Sequence, residues 1–212
     1  MILVGDSAAN IVCGNRYTLP ITVEEMIFLT KGVVRAAEHA LVVIDMPFGS
    51  YQVSEEQAVS NALKMMKESG ADEVKLEGGE EILPAIRQMV KAGVPVMGHG
   101  LRAKEDAEAE KLLNDAKLLD EAGCFAIVLE KIPAALAKRV TEAVSCPTIG
   151  IGAGNVTDGQ VLVLHDMLGL NEGFKPKFLR HFAQLGEAVK SAVSDYIAAV
   201  KDATFPSQEE SY

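Results

Sequence analysis

Acidic side chains end the first three apolar runs of this sequence. Asp6, Asp45 and Glu77 each stand at or near the end of a run. Any one of them alone is well explained as a helix cap or a solvated loop charge. If the three runs are neighbouring parallel strands, however, the carboxylates share one rim, and carboxylates with water and substrate oxygens are the ligands that a hard cation such as Mg²⁺ selects. Three acids in register therefore predict a Mg²⁺ site that orients a substrate.

A lysine and a histidine follow the same pattern of placement. Lys75 precedes Glu77 by two residues, so the alternation of a strand places both side chains on one face. There Lys75 is predicted to meet a substrate carboxylate or oxyanion beside the metal; the alternative is a structural pair with Glu77. His99 follows the segment PVMG, and its spacing fits a donor that faces the ligand as well as a buried structural histidine.

Glu130 ends the apolar segment FAIVL. Such surroundings disfavour a charged carboxylate, so we expect a raised pKa, which suits a group that accepts and returns protons near neutral pH. The alternative is an ion pair with the next residue, Lys131. The sequence thus predicts a group of residues that binds the metal and, separate from it, a residue that accepts and returns the proton.

These residues must be positioned by strands, because short apolar runs alternate with longer segments of helical period. The runs cover residues 1–6, 40–47, 73–79, 94–100, 124–133, 146–154 and 161–169. Several of the segments between them begin with serine or an acid and end at glycine, as helices do. Continuous apolar strands joined by helices indicate a parallel sheet covered on both faces, either doubly wound or closed as a barrel.

The polar residues favour the barrel. They recur at the ends of five runs, and a barrel gathers catalytic groups from several strand ends, whereas a doubly wound sheet binds its ligand at one switch point. The segment GIGAGN at 150–155 lacks the full glycine spacing of a dinucleotide fingerprint. We interpret it as a glycine-rich turn on the rim and not as an NAD site.

Composition limits the class of protein. The 212 residues carry 20 Lys and Arg against 30 Asp and Glu, a net charge of -10, which opposes binding to nucleic acid or to an anionic membrane and favours a small-molecule substrate. Cys13, Cys124 and Cys146 lack metal-ligand spacing and are predicted to be buried, reduced thiols, which suits the cytoplasm. No segment approaches the length of a membrane span and no leader is visible. The length and the hydrophobic content of 49% suit one substantial core, so we expect a single domain over residues 1–212.

At this point the sequence becomes recognisable. It contains the segments LVGDS, TLPITVEEM, DMPFGSY, KLEGG, GH, VLEKIP, IGIGAGNVTDGQVLVLHDMLG and FPSQEESY, in this order, from its first residues to its last. Over this whole length it resembles the ketopantoate hydroxymethyltransferase family.

The resemblance implies a fold and a reaction. The fold is an α/β (β/α)8 TIM barrel of the phosphoenolpyruvate/pyruvate type. The reaction transfers a hydroxymethyl group from 5,10-methylenetetrahydrofolate to 3-methyl-2-oxobutanoate through an enolate stabilised by Mg²⁺, giving 2-dehydropantoate in pantothenate biosynthesis. The resemblance also implies a homo-oligomer, a decamer.

Roles follow from the resemblance residue by residue. The metal ligands are Asp6, Asp45 and Glu77, the substrate-binding residues are Asp6, Ser7, Asp45, Lys75 and His99, and the catalytic proton acceptor is Glu130.

The sequence departs from the family pattern in two places. Relatives carry an N-terminal helix and a first strand ahead of LVGDS, so the opening run is expected to be the second barrel strand, with seven strands in this chain. After His99 the polar rim segment is short. Two alternatives therefore stay open: a related Mg²⁺-dependent 2-oxoacid lyase or mutase, and a truncated, non-catalytic remnant. A reactive cysteine on the rim after the fourth run would favour the lyase, but the segment GHG has none.

Overall fold

The computed structural model describes residues 1–100, 106–171 and 173–212. They form two compact units, Met1–Val161 and Leu162–Tyr212. The first unit contains all the strands of the sheet, and the second contains two helices. The expected single domain over residues 1–212 stays a prediction. The short segment expected after His99 falls on residues 101–105, outside the described residues.

Within the described residues, seven strands form one sheet. They are β1 (Ile2–Val4), β2 (Val42–Asp45), β3 (Glu73–Glu77), β4 (Val96–Gly100), β5 (Ala126–Glu130), β6 (Thr148–Ile151) and β7 (Gly159–Gln160). The helices of the first unit are α1 (Ala8–Ile11), α2 (Val23–Ala36), α3 (Glu55–Ser69), α4 (Leu83–Lys91), α5 (Asp106–Glu121) and α6 (Ala134–Ala143), with a 3₁₀ turn at Glu80–Ile82. The second unit holds α7 (Leu164–Met167) and α8 (Leu185–Lys201).

The order of the strands follows the chain. Each strand pairs in parallel with the next, from β1 through to β7, with a helix in most of the connections. A doubly wound sheet would reverse its order at a switch point, and this sheet does not. The predicted α/β architecture of the TIM-barrel type is therefore confirmed, as is the count of seven strands.

Capping residues fix where the long helices begin. Thr22 caps α2 through the backbone N–H of Glu25, whose side chain in turn accepts the N–H of Thr22. Ser54 caps α3, and Gly70 ends that helix in the left-handed conformation. Within the described ranges, no helix combines the length and the apolar character needed to cross a membrane.

The sheet has two faces with different neighbours. One face packs with the helices in the large core, through residues such as Ile44, Leu76 and Leu129. The other face carries a small separate apolar cluster of Val43, Met97, Ala126 and Val128. Side chains alternate along a strand, so residues two positions apart lie on the same face. On this second face, the positions that follow the apolar cluster are the polar residues at the carboxyl ends of the strands. This second face is therefore apolar in the middle of the sheet and charged at the carboxyl ends of the strands.

The seventh strand lies earlier than predicted. The sequence placed it over residues 161–169, but β7 is Gly159–Gln160, and Leu164–Met167 forms a helical turn. Periodicity does not separate a short apolar strand from a short helical segment, and here the backbone N–H of Leu170 bonds the carbonyl of His165 to close the turn. The prediction was wrong in its position, although a seventh strand is present.

Candidate active site

The register of the sheet brings the predicted residues side by side. Asp45 lies opposite Lys75 across β2 and β3, and Glu77 lies opposite His99 across β3 and β4. Glu130 ends β5, the next strand of the sheet. The side chains of these five residues form a row at the carboxyl ends of four consecutive strands, which we call the rim row.

Asp6 and Asp45 are adjacent at one end of the rim row. The backbone N–H of Asp6 donates to Oδ2 of Asp45 at 3.2 Å. Burial and the negative charge of Asp45 raise the pKa of Asp6 above its ordinary value. Ser7 follows at the start of α1, and its side chain makes no capping hydrogen bond to that helix. This corner of the rim concentrates negative charge, which a cation would relieve.

Lys75 is a buried cation between two carboxylates. Its Nζ lies 2.6 Å from Oδ1 of Asp45 and 3.5 Å from Oε1 of Glu77, and its side chain is only 4% exposed. Burial acts to lower the Lys75 pKa, but the two carboxylates outweigh it and raise the pKa above its ordinary value. The contact with Glu77 confirms that both side chains share one face. The shorter contact is with Asp45, which the sequence did not predict.

His99 joins the two glutamates of the rim row. Its Nδ1 lies 2.6 Å from Oε1 of Glu77, and its Nε2 lies 3.4 Å from Oε2 of Glu130. The second distance is within ion-pair range but lacks hydrogen-bond geometry, so among the described residues the buried Nε2 has no hydrogen-bond partner. Burial and Lys75 act to lower the His99 pKa, but Glu130 and Glu77 outweigh them and raise it.

Glu130 is paired, and its pKa moves in the direction opposite to our expectation. Its interactions with His99 and with Lys131, whose Nζ is 2.8 Å away, lower the Glu130 pKa to about 2. The predicted rise was therefore wrong. The apolar residues that precede Glu130 lie in its own strand. The pKa of Glu130 is set instead by His99 on the neighbouring strand and by Lys131, the next residue. The interaction with His99 likewise lowers the pKa of Glu77 to about 2.

Asp6 and Asp45 are the two predicted metal ligands that lie side by side. The described part of the chain contains no group of three or more His, Cys, Asp or Glu side chains already arranged to hold a metal ion. Glu77 is engaged by His99 and Lys75, and Asp45 is engaged by Lys75, so the metal-ligand roles of all three acids stay predictions. Two carboxylates completed by water and substrate oxygens are a usual Mg²⁺ environment, and Asp6 and Asp45 supply them.

Three residues that support the rim row were not predicted from the sequence. Tyr51 hydrogen-bonds the backbone of Glu77, and the side chain of Thr18 acts to lower the pKa of Asp6. Asp115 of α5 accepts the backbone N–H of Glu80 just beyond β3, so close to the chain that a Cβ at position 79 would overlap its carboxylate. Both Tyr51 and Thr18 stand in segments quoted for the family resemblance, which was the available signal.

The chain matches a family model over nearly its whole length. The model described as ketopantoate hydroxymethyltransferase covers residues 1–208. A protein of Bacteroides thetaiotaomicron named 3-methyl-2-oxobutanoate hydroxymethyltransferase is 54% identical, with 100% of this chain and 83% of that protein aligned. Proteins of the same name from Porphyromonas gingivalis and Flavobacterium johnsoniae are 54% and 52% identical over the same shares.

The alignments contain gaps within this chain. They extend over 226 residues, more than the 212 of the chain they cover completely. This chain is therefore shorter internally than these relatives, which agrees with the expectation of a shortened segment without showing where it lies.

Solved structures share the fold at low sequence identity. A putative phosphonomutase from Burkholderia cenocepacia matches with a TM-score of 0.59 and 16% identity, over 95% of this chain and 83% of that one. A putative lyase/mutase from the same organism matches with a TM-score of 0.55 and 15% identity, over 95% and 74%. These likenesses describe the architecture alone.

Proposed function

The chain belongs to the ketopantoate hydroxymethyltransferase family and is a transferase, and we propose that it forms 2-dehydropantoate from 3-methyl-2-oxobutanoate with 5,10-methylenetetrahydrofolate and Mg²⁺. One observation carries the residue roles: the rim row sets acids, a buried cation and a histidine side by side at the ends of β2 to β5. Such an arrangement can bind an anionic oxoacid and move a proton at one of its carbons.

Asp6 and Asp45 are the residues that would hold the metal. Magnesium bound there supplies a Lewis acid that polarises the carbonyl of a 2-oxoacid and so makes its C3 hydrogen acidic. Lys75, already charged beside Asp45, would donate a hydrogen bond to the oxygen on which charge develops. The hydroxyl of Ser7 and Nε2 of His99, neither of which is taken up by a cap or by a hydrogen bond within the described residues, would orient the substrate.

Glu130 would take the proton. Its lowered pKa keeps the carboxylate ionised at neutral pH, so a lone pair is available to accept the C3 hydrogen of the oxoacid. The electrons of the broken C3–H bond then form the new bond to the methylene carbon of the folate. The two bonds from the methylene carbon to the folate nitrogens break, and water supplies the hydroxyl oxygen. The proton taken from C3 and the second proton of water end on those two nitrogens, so that tetrahydrofolate leaves.

The assembly and the compartment are part of the same proposal. We propose a homo-oligomer, the state that the family resemblance implies, and its support is the apolar surface exposed on α8, through residues that include Val189, Val193 and Val200. We propose the cytoplasm as the compartment, because the three cysteines are free thiols. The prediction that all three are buried was wrong: Cys124 is buried, whereas Cys13 is exposed and Cys146 is half-buried.

Metal-dependent substrate binding tests the Asp6 and Asp45 assignment. Asp45→Asn is expected to weaken binding of 3-methyl-2-oxobutanoate in the presence of Mg²⁺ by about 10-fold or more, because it removes one of few anionic metal ligands. Calorimetry with and without a chelator measures the effect. Asp195→Asn, an exposed change on α8, is the matched control and should bind as the wild type does.

A second variant separates metal binding from folding. Asp45→Asn also removes the ion-pair partner of Lys75, whereas Asp6 forms no ion pair with that lysine within the described residues, so Asp6→Asn tests the metal site with less disturbance. If both folded variants bind the oxoacid as tightly as the wild type, and a chelator changes nothing, the two aspartates are structural charges only.

A further inference from the structure

The end of β3 extends beyond its partner strand. β2 ends at Asp45, opposite Lys75, and the chain leaves the sheet after the backbone N–H of Met46 bonds the carbonyl of Lys75. Backbone groups alternate sides along a strand, so Glu77 also points its N–H and C=O toward β2, at a level where β2 has already ended. The next residue, Gly78, points the other way and bonds the carbonyl of His99.

The hydroxyl of Tyr51 takes the place of the absent strand. It donates to the carbonyl of Glu77 at 3.1 Å and accepts the N–H of the same residue at 3.2 Å. A phenol has one donor and acceptor lone pairs, so this single group satisfies both backbone groups. Without it, two backbone groups at the rim would have to find water or stay unsatisfied, which is costly for buried polar groups.

Tyr51 is held so that it can do this. The loop before it folds on itself, because the N–H and the hydroxyl of Ser50 both bond the carbonyl of Pro47 and Asn61 of α3 holds the carbonyl of Ser50. Tyr51 itself is 6% exposed, and burial raises its pKa to about 12, so the hydroxyl keeps its proton.

The carboxylate of Glu77 depends on this support. Gly78 and Gly79 follow it directly, and a glycine pair does little to restrain the last residue of a strand. Yet Glu77 must present Oε1 to both His99 and Lys75, at 2.6 and 3.5 Å. We infer that Tyr51 is a positioning residue, whose hydroxyl holds the end of β3 in the sheet and so aims Glu77 between Lys75 and His99.

The consequence for activity rests on the proposed function, and Tyr51→Phe tests it because this change removes the hydroxyl and keeps the ring. We expect kcat to fall by about 10- to 100-fold, because a displaced Glu77 no longer holds Lys75 and His99 in place beside the oxoacid. Tyr196→Phe, the same change at an exposed position of α8, is the control and should keep wild-type kinetics.

Hydrogen exchange supplies a readout that needs no activity. In Tyr51→Phe, amides of residues 77–79 should exchange faster by about 10-fold, while those of Ile44 and Val74, deeper in the same strands, exchange at wild-type rates. A uniform acceleration of all three regions, or an unchanged rate at 77–79, would overturn the inference. Wild-type kcat in Tyr51→Phe would overturn it equally. If the wild-type protein shows no turnover, the proposed function fails, and the exchange pattern alone decides the role of Tyr51.

Discussion

Glu130→Gln is expected to slow the exchange of the C3 hydrogen of 3-methyl-2-oxobutanoate with deuterated solvent by about 100-fold or more, the usual scale for the loss of a general base. Glutamine keeps the shape and volume of the side chain but cannot accept the proton. Binding of Mg²⁺ and of the oxoacid should survive, because Glu130 lies three strands away from Asp45 in the sheet. The measurement is proton loss at C3 by nuclear magnetic resonance, without folate, which isolates proton removal from carbon–carbon bond formation.

The control for this change is Glu142→Gln. Glu142 lies on α6 and pairs with Lys138 on an exposed surface, so its neutralisation removes the same charge without touching the rim row. We expect exchange at the wild-type rate in this variant. Wild-type exchange in a folded Glu130→Gln protein that still binds the oxoacid would exclude Glu130 as the base and leave His99 or water in that role.

Lys75→Met is expected to lower turnover by about 100- to 1,000-fold, the scale for removing one donor to a developing oxyanion. It is also expected to lower the free energy of unfolding by about 3–5 kcal/mol, because it leaves Asp45 buried without its cation. Methionine keeps most of the length of the side chain, so packing changes little. Steady-state kinetics and urea unfolding measure the two effects.

Two further variants separate chemistry from stability. Lys64→Met breaks a lysine–carboxylate contact of 2.7 Å to Glu24, but both of these side chains are well exposed, so we expect a much smaller loss of stability than in Lys75→Met, with unchanged turnover. Lys75→Met combined with Asp45→Asn removes both buried charges and should recover part of the stability and none of the activity. If the folded fraction of Lys75→Met has the wild-type kcat, Lys75 serves only to neutralise its neighbours.

The rim row could be predicted from the sequence because each of the signals used lies within a single strand. An acid directly after an apolar run marks where a buried strand meets solvent, and the period of two places Lys75 and Glu77 on one face. Once the strands are parallel and in chain order, the residues at their ends must be neighbours. The position of the rim row therefore followed from pattern alone.

Contacts between strands were beyond such reasoning. The pKa of Glu130 is lowered by His99, and Lys75 pairs most closely with Asp45, which lies 30 residues away along the chain. Both contacts depend on the register between neighbouring strands, which a single sequence does not reveal. Tyr51 was missed for a related reason. Its role arises because β3 extends beyond the end of β2. The sequence pattern of each strand alone does not show which of the two extends further. The seventh strand was misplaced because a short apolar run fits a helical turn as well.

Product formation by the wild-type protein tests the central claim most directly. The purified chain, with its intact mass verified, is supplied with 3-methyl-2-oxobutanoate, 5,10-methylenetetrahydrofolate and Mg²⁺, and the products are identified by mass spectrometry. We predict that 2-dehydropantoate and tetrahydrofolate form in equal amounts, and that a chelator stops the reaction until Mg²⁺ is restored. A folded protein that forms no 2-dehydropantoate, whether it leaves the oxoacid unchanged or converts it without consuming the folate, would contradict the proposed function.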